Sequence, residues 1–177
     1  MTGKEKMKIL CFSDSHGNPY YMKKAINANR DADAVFFLGD GLSDIESIML
    51  DYPDKAFYTV KGNCDFGHGL VRKTETLEIG GARIVLTHGD LYGAKYGTAG
   101  LERIARQTDA DIVVFGHTHN PETIYFREKE SAAEDSPSAA KAFYLFNPGS
   151  IGEGTPLSFG IITLGSGAPL FSHGHYL

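Results

Sequence analysis

Val113-Val114-Phe115-Gly116-His117-Thr118-His119 is a short apolar run that stops at a glycine and ends in two histidines. β-Branched and aromatic residues closed by glycine read as a buried strand entering a turn. Side chains alternate faces along an extended chain, so His117 and His119 project the same way from the end of that strand. Two imidazoles on one side can converge on a metal ion, whereas an isolated H-x-H pair serves equally well as surface or packing residues. The rest of the sequence decides between these readings, because four other apolar runs also end in Asp, Asn or His.

Upstream, Met7 to Phe12 predicts a first strand that delivers Ser13-Asp14-Ser15-His16-Gly17, where Asp14 and His16 repeat the i, i+2 spacing. Asn18 is expected to cap a helix over Tyr20 to Asn29, with Pro19 at its first position. Ala34 to Leu38 runs into Gly39-Asp40-Gly41 and a short helix from about Leu42 to Leu50. Ala56 to Val60 runs into Lys61-Gly62-Asn63-Cys64-Asp65. Near-continuous apolar strands of this kind predict a parallel sheet covered on both faces. Ligands of such sheets bind beyond the carboxyl ends of the strands, so the polar endings should share one edge. Lys73 to Ile79 alternates, Gly80-Gly81 predicts a tight hairpin, and Arg83 to Thr87 returns to end in His88-Gly89-Asp90. A helix from Thr98 to Gln107 then leads back to the opening strand.

After His119 the pattern changes to strands, over Thr123 to Arg127, Ala142 to Phe146 and Phe159 to Leu164, with Asn147-Pro148-Gly149-Ser150 as a loop. The Ala-, Ser- and Glu-rich segment 128–141 reads as a flexible hairpin tip. The tail carrying His173 and His175 reads as an exposed terminus rather than a metal site. A chain of 177 residues fits one domain, 1–177. A net charge of -5 argues against a dedicated nucleic-acid surface, since phosphate-backbone affinity rests on Lys and Arg. It does not argue against a small phosphorylated substrate held through metal ions. Two cysteines cannot make a disulfide framework, and no run approaches the roughly 18 apolar residues of a membrane span. A cytoplasmic protein is expected.

Collected, the strand endings are Asp14, His16, Asp40, Asn63, His88, His117 and His119. That many oxygen and nitrogen ligands suit two adjacent cations rather than one, with a carboxylate, best Asp40, bridging them. In order, Asp14-x-His16, Gly39-Asp40, Gly62-Asn63, His88 and Gly116-His117-x-His119 resemble the motifs of the calcineurin-like metallophosphoesterases, over about residues 8 to 164. Short length, Gly-Asn-Cys-Asp and the late Asn-Pro-Gly-Ser are similar to the small bacterial and archaeal phosphodiesterase branch.

The resemblance implies a four-layer α/β/β/α sandwich with mixed sheets. It assigns Asp14, His16, Asp40 and His119 to one ion, and Asp40, Asn63, His88 and His117 to the other. Two divalent transition-metal ions are implied, Mn²⁺ first and Fe, Ni²⁺ or Zn²⁺ otherwise. The implied reaction is phosphodiester hydrolysis by a hydroxide held between the ions, with a phosphomonoesterase, a protein phosphatase or a non-catalytic protein-binding scaffold as alternatives. Homo-oligomers are common in the family. Two departures stand out. Cys64 occupies the place where many members carry a histidine after the asparagine, and a thiol is a weak donor. His68, and Asp65 in the same loop, are therefore the candidate catalytic side chains. Asp90 stands where this branch often has a second histidine, either supporting a ligand or capping a turn.

Overall fold

Near-continuous apolar runs such as Ala34-Val35-Phe36-Phe37 lead the inner strands to bury both faces. In the computed structural model, which describes residues 6–127 and 141–177, thirteen strands and helices follow in the order β1 (Lys6–Phe12), α1 (Tyr20–Ala28), β2 (Ala34–Phe37), α2 (Leu42–Met49), β3 (Ala56–Thr59), β4 (Thr74–Ile79), β5 (Ala82–Thr87), α3 (Ala99–Thr108), β6 (Ile112–Val114), β7 (Pro121–Phe126), β8 (Phe143–Pro148), β9 (Leu157–Gly165) and β10 (Leu170–Tyr176). One sheet has the order β10-β9-β1-β2-β3 and the other β4-β5-β6-β8-β7. Both are mixed: β1, β2 and β3 run parallel while β9 is antiparallel to β1, and β5, β6 and β8 run parallel between antiparallel β4 and β7.

The two-residue period sorts the core into layers. Ile9, Cys11, Ala34 and Phe36 face Ile84, Leu86, Ile112, Val114 and Phe146 of the second sheet. Their neighbours Leu10, Phe12, Val35 and Phe37 face the other way, against Met22, Ala25 and Ile26 of α1 and Leu42, Ile45 and Ile48 of α2. Val85, Val113 and Leu145 pack on Leu101 and Ala105 of α3. The result is helices, sheet, sheet, helix, as expected. The five metal-motif strands end at the same edge: β1, β2 and β3 run parallel, β5 and β6 run parallel, and His88 Nδ1 just beyond β5 lies 2.7 Å from the Leu38 carbonyl just beyond β2.

Several local expectations are corrected. Pro19, not Asn18, is the residue before the first helical turn, with φ -75° and no side-chain cap; the Asn18 N–H instead closes a turn onto the Ser15 carbonyl at 2.9 Å. Asn147 and Pro148 finish β8 rather than form a loop. The tail is a strand: β10 pairs antiparallel with β9 along its length. His173 Nε2 donates to the Asn147 carbonyl at 2.8 Å, and its ring stacks on Phe146. Two short 3₁₀ turns, Asp90–Tyr92 and Ala94–Tyr96, follow His88. The segment expected to be a hairpin tip lies, apart from Lys141, outside the described residues. Among the described residues, no helix is long and apolar enough to cross a membrane.

Candidate metal centre

The edge where these strands stop is held in an unusual backbone conformation. Of the six described non-glycine residues with positive φ, five are Asp14, His16, Asp40, His117 and His119, at 46° to 68°. L-residues enter this region at a cost, Asp and His among the least reluctant, and such positions concentrate at functional sites. The loops touch backbone to backbone: a Cβ on Gly62 would lie 2.1 Å from Asp40 Oδ1 and 2.5 Å from its nitrogen. The glycine before Asn63 is therefore needed for the close approach of two ligand loops.

Asp14 and Asp40 are 0% and 3% exposed. Asp14 Oδ2 accepts the Ser13 hydroxyl at 2.5 Å and the His117 N–H at 3.0 Å. Its Oδ1 faces His119 Nε2 at 3.1 Å and His16 Nε2 at 3.7 Å. Asp40 Oδ1 accepts the Cys64 N–H at 2.7 Å, leaving Oδ2 to face His88 Nε2 at 3.3 Å. His88 Nε2 also lies 3.2 Å from Asn63 Oδ1 and 3.1 Å from His117 Nδ1. All seven predicted ligands are thus brought together, six of them in two groups bridged by a third of His16, Asp40 and Cys64, with Asn63 beside His88. The donor atoms of Asp14, His16 and His119 lie within 4.8 Å of one another, as do those of Asp40, His88 and His117.

The donor set fits cations on chemical grounds. His88 Nδ1 sits 2.7 Å from the Leu38 carbonyl, which only accepts, so Nδ1 holds the ring's proton. In the neutral ring, Nε2 then turns a lone pair towards a carboxylate oxygen and an amide oxygen, both acceptors. A cation resolves that conflict; without one, a proton does. Accordingly His88 titrates above its ordinary value, burial opposing the rise and the Asp40 contact and the Asp14 and Asp40 charges outweighing it. His119 is raised by its bond to Asp14, with Asp14 and Glu153 charges adding. Burial works against ionisation of Asp14 and Asp40, yet the histidines beside them hold both carboxyls below the usual range.

The candidate catalytic residues stand differently. Asp65, 6% exposed, has both oxygens engaged by backbone: Oδ2 accepts the N–H groups of Asp40 and Gly62, and Oδ1 those of Gly41 and Leu42, at 2.7 to 2.8 Å. His68 lines a cleft of about 270 Å³ together with His16, Asp40 and Cys64. Its Nδ1 faces the Phe66 carbonyl at 3.2 Å and its Nε2 the Glu46 carboxylate at 3.3 Å. Desolvation and the adjacent Asp40 push the Cys64 thiol up to about 11, so it is neutral near pH 7 in the metal-free protein. Asp90 pairs with Lys73 at 2.7 Å, and its Oδ1 is buried without a hydrogen-bond partner.

Three supports were not read from the sequence. Asn147 donates to the Gly116 carbonyl and Thr118 hydroxyl at 3.1 and 3.0 Å, bracing the His117–His119 turn. Asp44 of α2 accepts the Ser15 hydroxyl and Gly17 N–H at 2.6 and 2.8 Å. Glu153 lies 3.7 Å from His119 Nδ1. Only a polar residue inside an otherwise regular run could have flagged any of them, and Asn147 at the end of β8 is that case.

Two facing mixed sheets, with buried Asp and His converging where their parallel strands end, define a class that comparison with known proteins identifies. A family model described as the calcineurin-like phosphoesterase superfamily domain matches residues 7–167, and the chain belongs to that family. Among curated proteins it is similar to probable metallophosphoesterase YsnB of Bacillus subtilis strain 168, 32% identical over 114 residues. That match covers 64% of this chain and 64% of the relative, less than two thirds of its length. Among solved structures, vacuolar protein sorting 29 from Cryptosporidium parvum shares the fold with a TM-score of 0.71 at 20% identity, over 98% of this chain and 99% of that one. An archaeal phosphodiesterase does so with a TM-score of 0.66 at 21% identity, over 96% of this chain and 100% of that one.

Proposed function

We propose that the protein is a metal-dependent phosphoester hydrolase whose substrates are phosphodiesters. The observation that carries this reading is the pair of donor groups, Asp14-His16-His119 and Asp40-His88-His117, meeting around two buried carboxylates. One ion would be held by Asp14, His16, Asp40 and His119, the other by Asp40, Asn63, His88 and His117. Mixed oxygen and imidazole donors suit Mn²⁺, Fe, Ni²⁺ or Zn²⁺. Two divalent ions in such a site supply Lewis acidity, lowering the pKa of water towards neutrality and neutralising charge on phosphoryl oxygens.

The chain's own residues set the rest. The His88 Nδ1 bond to Leu38 fixes which nitrogen faces the site. Asp65 positions rather than transfers protons, because its four backbone contacts lock the Asp40 and Asn63 loops. Both ring nitrogens of His68 face acceptors, the Phe66 carbonyl and the Glu46 carboxylate. As the titratable side chain of the cleft best suited to donate, His68 is the proposed source of the leaving-group proton, in place of the Cys64 thiol. Diesters are favoured by the Gly62-Asn63-Cys64-Asp65 stretch, which is similar to the small phosphodiesterase branch, and the likeness to an archaeal phosphodiesterase agrees.

The test is hydrolysis of bis-p-nitrophenyl phosphate and of p-nitrophenyl phosphate by metal-stripped and metal-reconstituted protein. Metal-dependent diester turnover is expected. Preference for the monoester would replace the diesterase reading with a phosphatase, and bound metal without turnover of either would favour a role through protein contacts.

A further inference from the structure

One charged side chain beside the metal centre belongs to none of the motifs. Glu153 Oε2 lies 3.7 Å from His119 Nδ1 and 4.0 Å from His16 Nε2. Its loop is tied to the Asp14 loop from a distance of more than a hundred residues in sequence. The Ser150 hydroxyl donates to the Asp14 carbonyl at 2.8 Å and accepts the Glu153 N–H at 2.8 Å. The Ile151 and Gly152 N–H groups donate to the Ser13 and Asp14 carbonyls, each at 3.1 Å. A Cβ on Gly152 would stand 2.0 Å from the Ser15 carbonyl oxygen, so backbone lies against backbone there. Glu153 is therefore placed by the same segment that carries Asp14 and His16.

The orientation of His119 gives this carboxylate a use. Nε2 faces Asp14 Oδ1 at 3.1 Å, which leaves Nδ1 as the outer nitrogen, facing Glu153. When Nε2 is a ligand, the proton must sit on Nδ1, and a carboxylate beside that N–H orients the ring and raises its basicity. At 3.7 Å the contact is electrostatic rather than a hydrogen bond. Among the described residues, the Glu153 carboxylate makes no hydrogen bond of its own. Glu153 Oε2 is nearer to the outer nitrogen of His119, at 3.7 Å, than to His16 Nε2, the site-facing nitrogen, at 4.0 Å, which favours positioning over direct ligation.

We propose that Glu153 is a positioning residue of the metal centre, holding His119 for coordination and selectively tightening the ion bound by Asp14, His16 and His119. The inference rests on the metal-site reading above. Calorimetric titration of the metal-stripped full chain with Zn²⁺ tests it, comparing wild type with Glu153→Ala and Glu153→Gln. Glu153→Ala should weaken one of two ions by about ten- to a hundredfold and leave the other within about twofold. Glu153→Gln, which keeps an acceptor but not the charge, should fall between. The ¹⁵N resonance of His119 Nδ1 in the Zn²⁺-loaded protein should move in the alanine variant, a change that a merely structural loop residue would not produce. Since Glu153 is half exposed, metal-free melting should change little. Two ions bound with unaltered affinities in Glu153→Ala, or equal weakening of both, would overturn the proposal. A wild type that binds no ion would overturn the metal reading itself, which is a different result.

Discussion

Replacing Asp65 by asparagine separates a positioning carboxylate from a catalytic one. The wild-type group accepts four backbone N–H bonds, two per oxygen, from the segments that carry Asp40 and Asn63. Asparagine turns one acceptor oxygen into a donor, so two buried N–H groups lose their partner and face an NH₂. A hydrogen bond to a charged group is worth about 1.5–3 kcal/mol, and an orphaned buried N–H costs about 1–3 kcal/mol. These effects overlap, and Asp65→Asn should cost about 2–4 kcal/mol. For a chain of this size that is a fall in melting temperature of about 4–16 °C. Differential scanning calorimetry of the metal-free variant reads it directly, and Zn²⁺ titration should show weakened binding because two ligand loops are loosened together. A melting temperature within about 1 °C of wild type, with turnover lost, would refute the reasoning and return Asp65 to the chemistry.

Gly62→Ala places a methyl group 2.1 Å from Asp40 Oδ1 and 2.5 Å from the Asp40 nitrogen. Because backbone must move, the variant should lose about 1–3 kcal/mol and bind metal more weakly, both measurable in one calorimetric series. The stability of the metal-free protein should vary with pH through the buried histidines and carboxylates of the site. His88 and His119 titrate above the unfolded value near 6.5, so their stabilisation is complete below that pH and is lost as pH rises through the folded values. Asp14 and Asp40 titrate low, so theirs is present above about pH 4 and is lost as pH falls. His117, lowered by burial and by the charges of His88 and Lys95, and His173, lowered by burial, work against the first pair. Bound Zn²⁺, which takes the place of the protons on His88 and His119, should make the melting temperature rise from pH 6 to pH 8 relative to the metal-free protein; a pH profile unchanged by metal would contradict the assignment. His68→Ala should slow an alkyl phosphodiester far more than bis-p-nitrophenyl phosphate, and equal effects on both would remove His68 as proton donor.

The fold was legible where each run of apolar residues ended in polar residues, directly after a glycine at Asp40, Asn63 and His117. Parallel strands covered on both faces carry that pattern without ambiguity, and it placed Asp14, Asp40, Asn63, His88 and His117 on one edge. The β10 strand was not legible, because Ser172, His173, Gly174 and His175 look like a solvated tail. What makes it a strand is Gly174, whose missing side chain leaves room for the Phe159 ring, and His173 lying on Phe146. Asp65 and Glu153 show a second limit. A carboxylate's role depends on which backbone N–H groups or imidazoles it meets, and both meet theirs through tertiary contact. Glu153 reaches His119 because Ser150, Ile151 and Gly152 bond to the Ser13–Asp14 backbone, contacts no local pattern encodes.

The central claim is that this site holds a pair of ions sharing Asp40. Isothermal titration of metal-stripped protein with Mn²⁺ or Zn²⁺, repeated on Asp40→Ala, tests it most directly. Two ions per chain in the wild type, with binding of both weakened in the variant, is the predicted result. A single ion per chain, or two whose affinities ignore Asp40→Ala, would contradict it.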